Sequence, residues 1–306
     1  MNKFKFALAL LLTGTALADS WAPKKGHRQV PIWPAHSPIL AEGIRKLEDR
    51  EISASKAVTN VSNPTYTVYS PKTNPSGTCI VVFPGGGHLV LAMGIEGTEI
   101  ADWLNQSGIT CVLVKYRVPY SGCYYDSQTN KHVTPKVPMA LQDAQRTISL
   151  LREHAREYRI DPNKIGVMGF SAGGNVAVLA STNGLKRSYK ARDATDQISC
   201  RPDFAIPVYP GHMTMRHKNV DSRALNTDIV ISPSIPPTML VHAQDDPVDP
   251  VHYSEIYAAA LKKAGIPVKL KLYKHGGHAF GVRKQGADSD GWTQDVLAWL
   301  KQIKIL

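Results

Sequence analysis

A serine between two glycines, Gly169-Phe170-Ser171-Ala172-Gly173, is the group in this 306-residue chain best suited to nucleophilic chemistry. A hydroxyl attacks a carbonyl well only when a base takes its proton and an acid orients that base. The serine directly follows the apolar run Ile165–Gly169 and precedes a segment of helical composition. At a strand-to-helix turn of this kind the hydroxyl stands exposed above a sheet, and the helix N-terminus lies beneath it with its positive dipole end. The flanking glycines are needed because side chains there would collide with neighbouring backbone. Without that setting, a Gly-Ser-Gly turn would merely let a helix and a strand pack closely.

Where such an elbow is built, the partners follow in the order serine, carboxylate, histidine. The run Thr238 to Ala243 ends in Gln244-Asp245-Asp246-Pro247-Val248-Asp249-Pro250, which offers three aspartates. Asp249 precedes Pro250 and a helix, so helix capping is its expected job. Asp246 is the expected acid, with Asp245 in reserve. After the next strand, Lys274-His275-Gly276-Gly277-His278 places His278 behind two glycines that let the loop bend back toward the serine. His278 is the expected base, and His275 a surface residue. Acyl transfer also needs donors for an oxyanion. Pro84-Gly85-Gly86-Gly87 follows an earlier strand, so the N–H groups of Gly86 or Gly87, with that of Ala172, are the expected oxyanion hole. No G-x-G-x-x-G opens a helix, no Lys-Ser/Thr follows a glycine loop and no H-E-x-x-H occurs. The expectation is therefore a site without cofactor or metal.

The elements that must position these residues alternate along the chain. Strands are predicted at Tyr66–Tyr69, Cys79–Phe83, Thr110–Tyr116, Ile165–Gly169, Phe204–Tyr209, Thr238–Ala243 and Val268–Tyr273. Helices are predicted at Thr98–Gln106, Pro138–Tyr158, Gly173–Ser181, Val251–Ala264 and Trp292–Lys301. In the longest of these helices Leu141, Ala144, Ile148, Leu151 and Ala155 recur at three and four. Strands alternating with helices predict an α/β fold, a mostly parallel central sheet covered by helices on both faces. Two long loops, Pro119–Lys136 and Met213–Pro237, are candidates to roof a site. The segment Trp21–Asn74 is otherwise irregular.

With 43% hydrophobic residues the chain can fill a core, which excludes a disordered or collagen-like protein. The net charge of +11 is scattered, a poor footprint for nucleic acid, and no nucleic-acid partner is expected. The first eighteen residues read as a signal peptide: Lys3 and Lys5, the apolar run Phe6–Leu12, and Ala16-Leu17-Ala18 as cleavage site. That run is shorter than the ~20 residues a membrane span needs. Cleavage after Ala18 would remove two lysines, lower the charge from +11 to +9, and leave residues 19–306 as one expected domain, exported to the periplasm or beyond without a membrane anchor. Of the four cysteines, Cys79 and Cys111 lie in apolar strands and are expected to be buried free thiols. Cys123 and Cys200 lie in polar loops, where a bridge between them is expected.

The chain resembles the α/β-hydrolase superfamily and, within it, the bacterial acetyl-xylan and feruloyl esterase-like carbohydrate esterases. The matching pieces are Trp33-Pro34, Pro84-Gly-Gly-Gly87, Glu96-Gly97, Lys115-Tyr-Arg-Val-Pro119, Gln142-Asp-Ala-Gln-Arg146, Gly169-Phe-Ser-Ala-Gly-Gly174, Pro236-Pro237 and Gly277-His278. They occur in family order from about Pro31 to Leu300. The resemblance implies Ser171 as nucleophile, Asp246 as acid and His278 as base. The hormone-sensitive-lipase group is less similar, since it usually has an acidic residue where Phe170 stands and His where Pro84 stands. Relatives often carry an aromatic after the three glycines. Here it is His88, expected to face the acyl pocket and touch substrate, so the acyl preference of those relatives does not simply transfer. The expected function is an exported serine carboxylester hydrolase that removes short acyl groups, acetyl first, from plant-type polysaccharide or oligosaccharide. The alternatives are a feruloyl or general short-chain carboxylesterase, a serine peptidase of the same fold, and a non-catalytic carbohydrate-binding relative. Such peptidases commonly add a large propeller or cap, which 288 residues after cleavage would not accommodate.

Overall fold

The computed structural model describes residues 21–40, 50–52, 56–118, 125–126, 131–132, 138–214 and 222–306. Eight strands form one sheet: β1 (Val30–Pro31), β2 (Thr65–Tyr69), β3 (Cys79–Phe83), β4 (Thr110–Lys115), β5 (Ile165–Phe170), β6 (Ala205–Val208), β7 (Thr238–Ala243) and β8 (Val268–Tyr273). Their spatial order is β1-β2-β4-β3-β5-β6-β7-β8. The β1–β2 and β2–β4 pairs are antiparallel, and every later pair is parallel. Among the described residues five α-helices of eight residues or more connect or cover the strands: α1 (Glu99–Gln106), α2 (Pro138–Glu153), α3 (Ala172–Thr182), α4 (His252–Lys263) and α5 (Trp292–Gln302). This is the α/β-hydrolase architecture that the sequence predicts.

Strands β3 to β7 are buried along their whole length, which is why they read as continuous apolar runs rather than alternating ones. The parallel register brings the C-terminal ends of β3, β5, β6, β7 and β8 to one edge. Gly169 pairs with Phe83, Phe170 with Val208, Val208 with Val241, and Ala243 with Tyr273. In open α/β sheets ligands bind outside the carboxyl ends of the strands. All the candidate chemistry falls on that edge.

Several local features depart from the sequence expectation. A small three-stranded sheet of Arg50–Ile52, Ala57–Thr59 and Val90–Leu91 was not predicted, because two- and three-residue strands carry no usable periodicity. Ahead of α1 the chain makes a π-helical turn at Gly94–Thr98 rather than entering the helix directly. The long helix predicted to Tyr158 breaks at His154 and resumes for one turn at Ala155–Tyr158. Cys79 and Cys111 are buried free thiols, as expected. Cys200 corrects the expected bridge: it too is a buried free thiol, its Sγ donating to the Gly184 carbonyl at 3.4 Å. With the Gly184 carbonyl as acceptor, the thiol is accommodated in its buried position without a bridge. Its expected partner Cys123, the signal peptide, residues 119–124, 127–130 and 133–137 of one long loop and 215–221 of the other lie outside the described residues.

Two glycines lock the β5–α3 turn to its neighbours. A Cβ on Gly169 would strike the Gly173 carbonyl, and a Cβ on Gly173 would strike the carbonyl oxygens of Phe83 and Pro84. Those atoms are backbone in a packed sheet and cannot step aside. Gly173→Ala is therefore expected to destabilise the fold by about 1–3 kcal/mol or more, measured by urea titration. Wild-type stability in that variant would show that the turn is not packed as described.

Candidate active site

Ser171 follows the last residue of β5 and immediately precedes α3. Its backbone is at φ 51° and ψ −120°, outside the regions that L-residues favour. Three backbone hydrogen bonds hold it there. Its N–H donates to Val208 O at 3.1 Å, and its carbonyl accepts from the N–H groups of Gly211 at 3.0 Å and Asn175 at 3.2 Å. The strain lifts the side chain out of the sheet toward the loops beyond β7 and β8.

His278 meets it there. The imidazole Nε2 lies 3.0 Å from Ser171 Oγ, and Nδ1 lies 2.7 Å from Asp246 Oδ2. Three side chains separated by up to 107 residues thus form one hydrogen-bonded line. The loop that delivers His278 turns at Gly277, φ 63°. It is tied down by Asp245, whose Oδ1 accepts the N–H groups of Gly276 at 3.0 Å and Gly277 at 2.8 Å. The reserve acid therefore does not join the line; it anchors the loop that carries His278. His275 is exposed beside Asp245 at 3.4 Å. Below the imidazole, the Tyr209 ring lies 4.9 Å from it and packs edge-on to Phe280 at 4.6 Å, a stiff aromatic floor.

Asp246 is well supplied with donors. Oδ1 accepts the N–H groups of Val248 at 2.8 Å and Asp249 at 3.0 Å, while Oδ2 also meets His242 Nε2 at 3.3 Å. Burial works against its ionisation. The hydrogen bonds from His242 and His278 outweigh that burial and hold its carboxyl well below the usual carboxylate range. For His278, burial favours the neutral ring, but the Asp246 hydrogen bond and the charges of Asp246, Asp249 and Glu96 prevail and raise its pKa. A line of Ser, His and ionised Asp in this geometry can deprotonate a hydroxyl and hold the resulting imidazolium.

Across from the histidine lies the turn after β3. Gly85 abuts Ser171 so closely that a Cβ there would stand 2.8 Å from Ser171 Cβ. Gly86 and Gly87 adopt φ 128° and 63°, and among the described residues no protein acceptor takes their N–H groups. Ala172 begins α3, so its N–H has no intrahelical partner. Glu96, fully buried in the π-turn, braces the arrangement: Oε2 accepts the Gly85 N–H at 2.7 Å and Oε1 the Tyr209 hydroxyl at 3.0 Å. Burial pushes the Glu96 carboxyl up. His88, 3% exposed, packs against the rings of His212 at 4.9 Å and Tyr116 at 6.5 Å.

Two residues of the site escaped the sequence reading. His242 stands fully buried in β7, with Nδ1 2.8 Å from Ser254 Oγ and Nε2 3.0 Å from the Asp249 carbonyl. A histidine inside an otherwise apolar strand was the available signal, since a buried ring must find partners. Asp249 does not cap α4, whose N-cap Val251 makes no side-chain capping bond. Its carboxylate instead turns inward, Oδ2 lying 3.3 Å from Ser171 Oγ. The Pro after it reads as a cap signal in sequence, which misdirects.

A model of the prolyl oligopeptidase family matches residues 139–304, and one of the BD-FAE family matches residues 67–206. An acetylxylan esterase of Xylanibacter ruminicola is 30% identical over 249 residues, covering 75% of this chain and 46% of that one. An endo-1,4-beta-xylanase B of Butyrivibrio fibrisolvens is 27% identical over 232 residues, covering 70% of this chain and 34% of that one. The chain thus spans less than half the length of either. Among solved structures, an acetyl ester-xyloside bifunctional hydrolase from Caldicellulosiruptor lactoaceticus is 28% identical with a TM-score of 0.66, covering 91% of this chain and 97% of that one.

The electrostatics can be read without any substrate. An NMR titration of the His278 ring is expected to give a midpoint above the ordinary 6.5. Asp246→Asn should bring it down, because the hydrogen bond and charge that raise it are removed. Because the folded value is raised, the stability from this pairing is complete below the unfolded histidine value. It is lost as pH climbs through the folded one. A midpoint unmoved by Asp246→Asn would contradict the pairing.

Proposed function

The chain belongs to the prolyl oligopeptidase family, and from that premise we propose that it is a serine carboxylester hydrolase acting on short acyl groups, acetyl first, carried by plant-type polysaccharide or oligosaccharide. The observation that carries this reading is the line Ser171–His278–Asp246, with gaps of 3.0 and 2.7 Å, beside a glycine turn with free N–H groups. That its relatives include an acetylxylan esterase, an endo-1,4-beta-xylanase and an acetyl ester-xyloside hydrolase supports the substrate class.

In this reading Ser171 Oγ bonds to the ester carbonyl carbon while its proton passes to His278 Nε2. The carbonyl electron pair moves onto oxygen, which the N–H groups of Gly86 or Gly87 and Ala172 receive. Asp246 keeps Nδ1 protonated and steadies the positive ring. The carbon–oxygen bond to the sugar then breaks, and the sugar oxygen takes the proton from Nε2. Water repeats the sequence on the acyl-serine and releases the acid. His88 belongs to the acyl side of the site, and the protein is exported on the leader of residues 1–18, with residues 19–306 as one catalytic domain. No helix among the described residues is long and apolar enough to cross a membrane.

The family match also favours a second reading, a serine peptidase, because the same line of residues would cleave an amide. A matched ester and anilide pair separates the two. Short nitrophenyl esters and acetylated xylan are expected to turn over, and the anilide to remain intact. Fluorophosphonate should label the wild type, and Ser171→Ala should lose labelling together with about 10⁶-fold of kcat. Full activity in Ser171→Ala would end the esterase and peptidase readings alike.

A further inference from the structure

Asp249 is 5% exposed, and the hydrolytic sequence above gives it no role. Its Oδ2 lies 3.3 Å from Ser171 Oγ and 3.9 Å from His278 Nε2, on the side of the imidazole opposite Asp246. The surroundings make room for it. Gly211, whose N–H holds the Ser171 carbonyl, passes so close that a Cβ there would stand 2.7 Å from Asp249 Oδ2 and 3.0 Å from Oδ1. The Asp249 backbone is fixed at both ends, its N–H to Asp246 Oδ1 at 3.0 Å and its carbonyl to His242 Nε2 at 3.0 Å. One rigid loop thus presents two carboxylates to opposite edges of one ring.

We propose that Asp249 is a further catalytic residue, a second carboxylate that stabilises the His278 imidazolium from its Nε2 edge as the Ser171 proton arrives. The proposal rests on the esterase reading and deepens it. Before attack, the Ser171 hydroxyl has two acceptors, His278 Nε2 and Asp249 Oδ2. When Oγ bonds to the carbonyl carbon, its proton moves to Nε2 and the ring becomes positive between Asp246 and Asp249. When the carbon–oxygen bond to the leaving group breaks, that oxygen removes the proton, and the ring is neutral again. A negative charge 3.9 Å from Nε2 favours the protonated ring at each of these points. The other groups facing His278 are Asp246 on the same loop, backed by His242 of β7, Glu96 from the π-turn, and the Tyr209 hydroxyphenyl ring beyond β6. Glu96 is committed to Gly85 and Tyr209, so among the described residues Asp249 is the carboxylate at that edge.

The same contact sets an acid limit on the enzyme. Below the His278 pKa the ring is protonated, Nε2–H is held between Ser171 and Asp249, and no base is present. Removing the Asp249 charge should let the base persist to lower pH while weakening the imidazolium in the transition state.

The test is the pH profile of kcat/KM on a short nitrophenyl ester, with the full chain, for wild type, Asp249→Asn and Gly211→Ala. Asp249→Asn is expected to move the acid limb down by about one unit and to lower plateau kcat by about tenfold, with KM little changed. Gly211→Ala keeps the carboxylate but pushes it from the ring, and its acid limb should move the same way. Fluorophosphonate labelling of Ser171 is run beside each. Labelled wild type with acid limbs unmoved in the variants overturns the proposal alone, whereas unlabelled wild type overturns the hydrolase reading beneath it. A wild-type acid limb at or below 6.5 also overturns the proposal, whether or not the variants fold.

Discussion

Ser171 occupies a backbone conformation, φ 51° and ψ −120°, that an L-residue adopts only when its surroundings hold it there. The surroundings here are backbone rather than side chain. Val208, Gly211 and Asn175 grip the serine peptide groups, and Gly169 and Gly173 let strand, turn and helix approach to contact. A residue so placed costs on the order of 1–3 kcal/mol, offset by the fully buried strands on either side. Every distance in the site depends on this turn. If it relaxed toward an ordinary conformation, Oγ would leave the imidazole, and neither acid nor oxyanion donors would have a partner to act on.

Around that turn the molecule solves a second difficulty, which is negative charge out of water. Glu96, Asp246 and Asp249 are gathered near one imidazole, and buried carboxylates repel one another as well as losing solvation. Each is handled differently. Asp246 collects two backbone N–H groups and two histidines, enough to remain ionised. Glu96 has one backbone N–H and one tyrosine hydroxyl, and burial raises its pKa. Asp249 looks onto the Ser171 hydroxyl itself. The resulting field is directed at His278, so charges that would be a liability elsewhere favour the protonated form of that ring.

The fold was legible in the sequence because five strands buried on both faces must be apolar throughout, and the turns between them carry Gly and Pro. Cys79–Phe83, Thr238–Ala243 and Val268–Tyr273 came out with the predicted bounds. The short strands Arg50–Ile52, Ala57–Thr59 and Val90–Leu91 and the π-turn at Gly94–Thr98 were not, since tertiary contacts rather than local pattern create them. In the site, the elbow and the two glycines before His278 have geometric consequences that can be read from residue type. Glu96 appeared only as part of a resemblance, with no contact attached, because its partners Gly85 and Tyr209 lie 11 and 113 residues away.

The three aspartates after β7 show where local reading stops. Asp245, Asp246 and Asp249 sit within five residues of one another, and sequence rules rank them by neighbouring proline and by helix position. The structure ranks them by direction. Asp245 points outward and pins the His278 loop, Asp246 points beneath the ring to Nδ1, and Asp249 points across it to Ser171. Asp245 is held by the Gly276 and Gly277 N–H groups, while the other two are tied to His242, one element earlier, whose Nε2 reaches both the Asp246 carboxylate and the Asp249 carbonyl. A buried strand histidine thus stiffens the loop that faces Ser171, and Gly211 clears the space into which the last carboxylate turns. Neither residue resembles a catalytic motif. Their effect is to make a flexible-looking loop hold two charges at fixed positions about one ring, and fixed charges favour a transition state without reorganising to meet it.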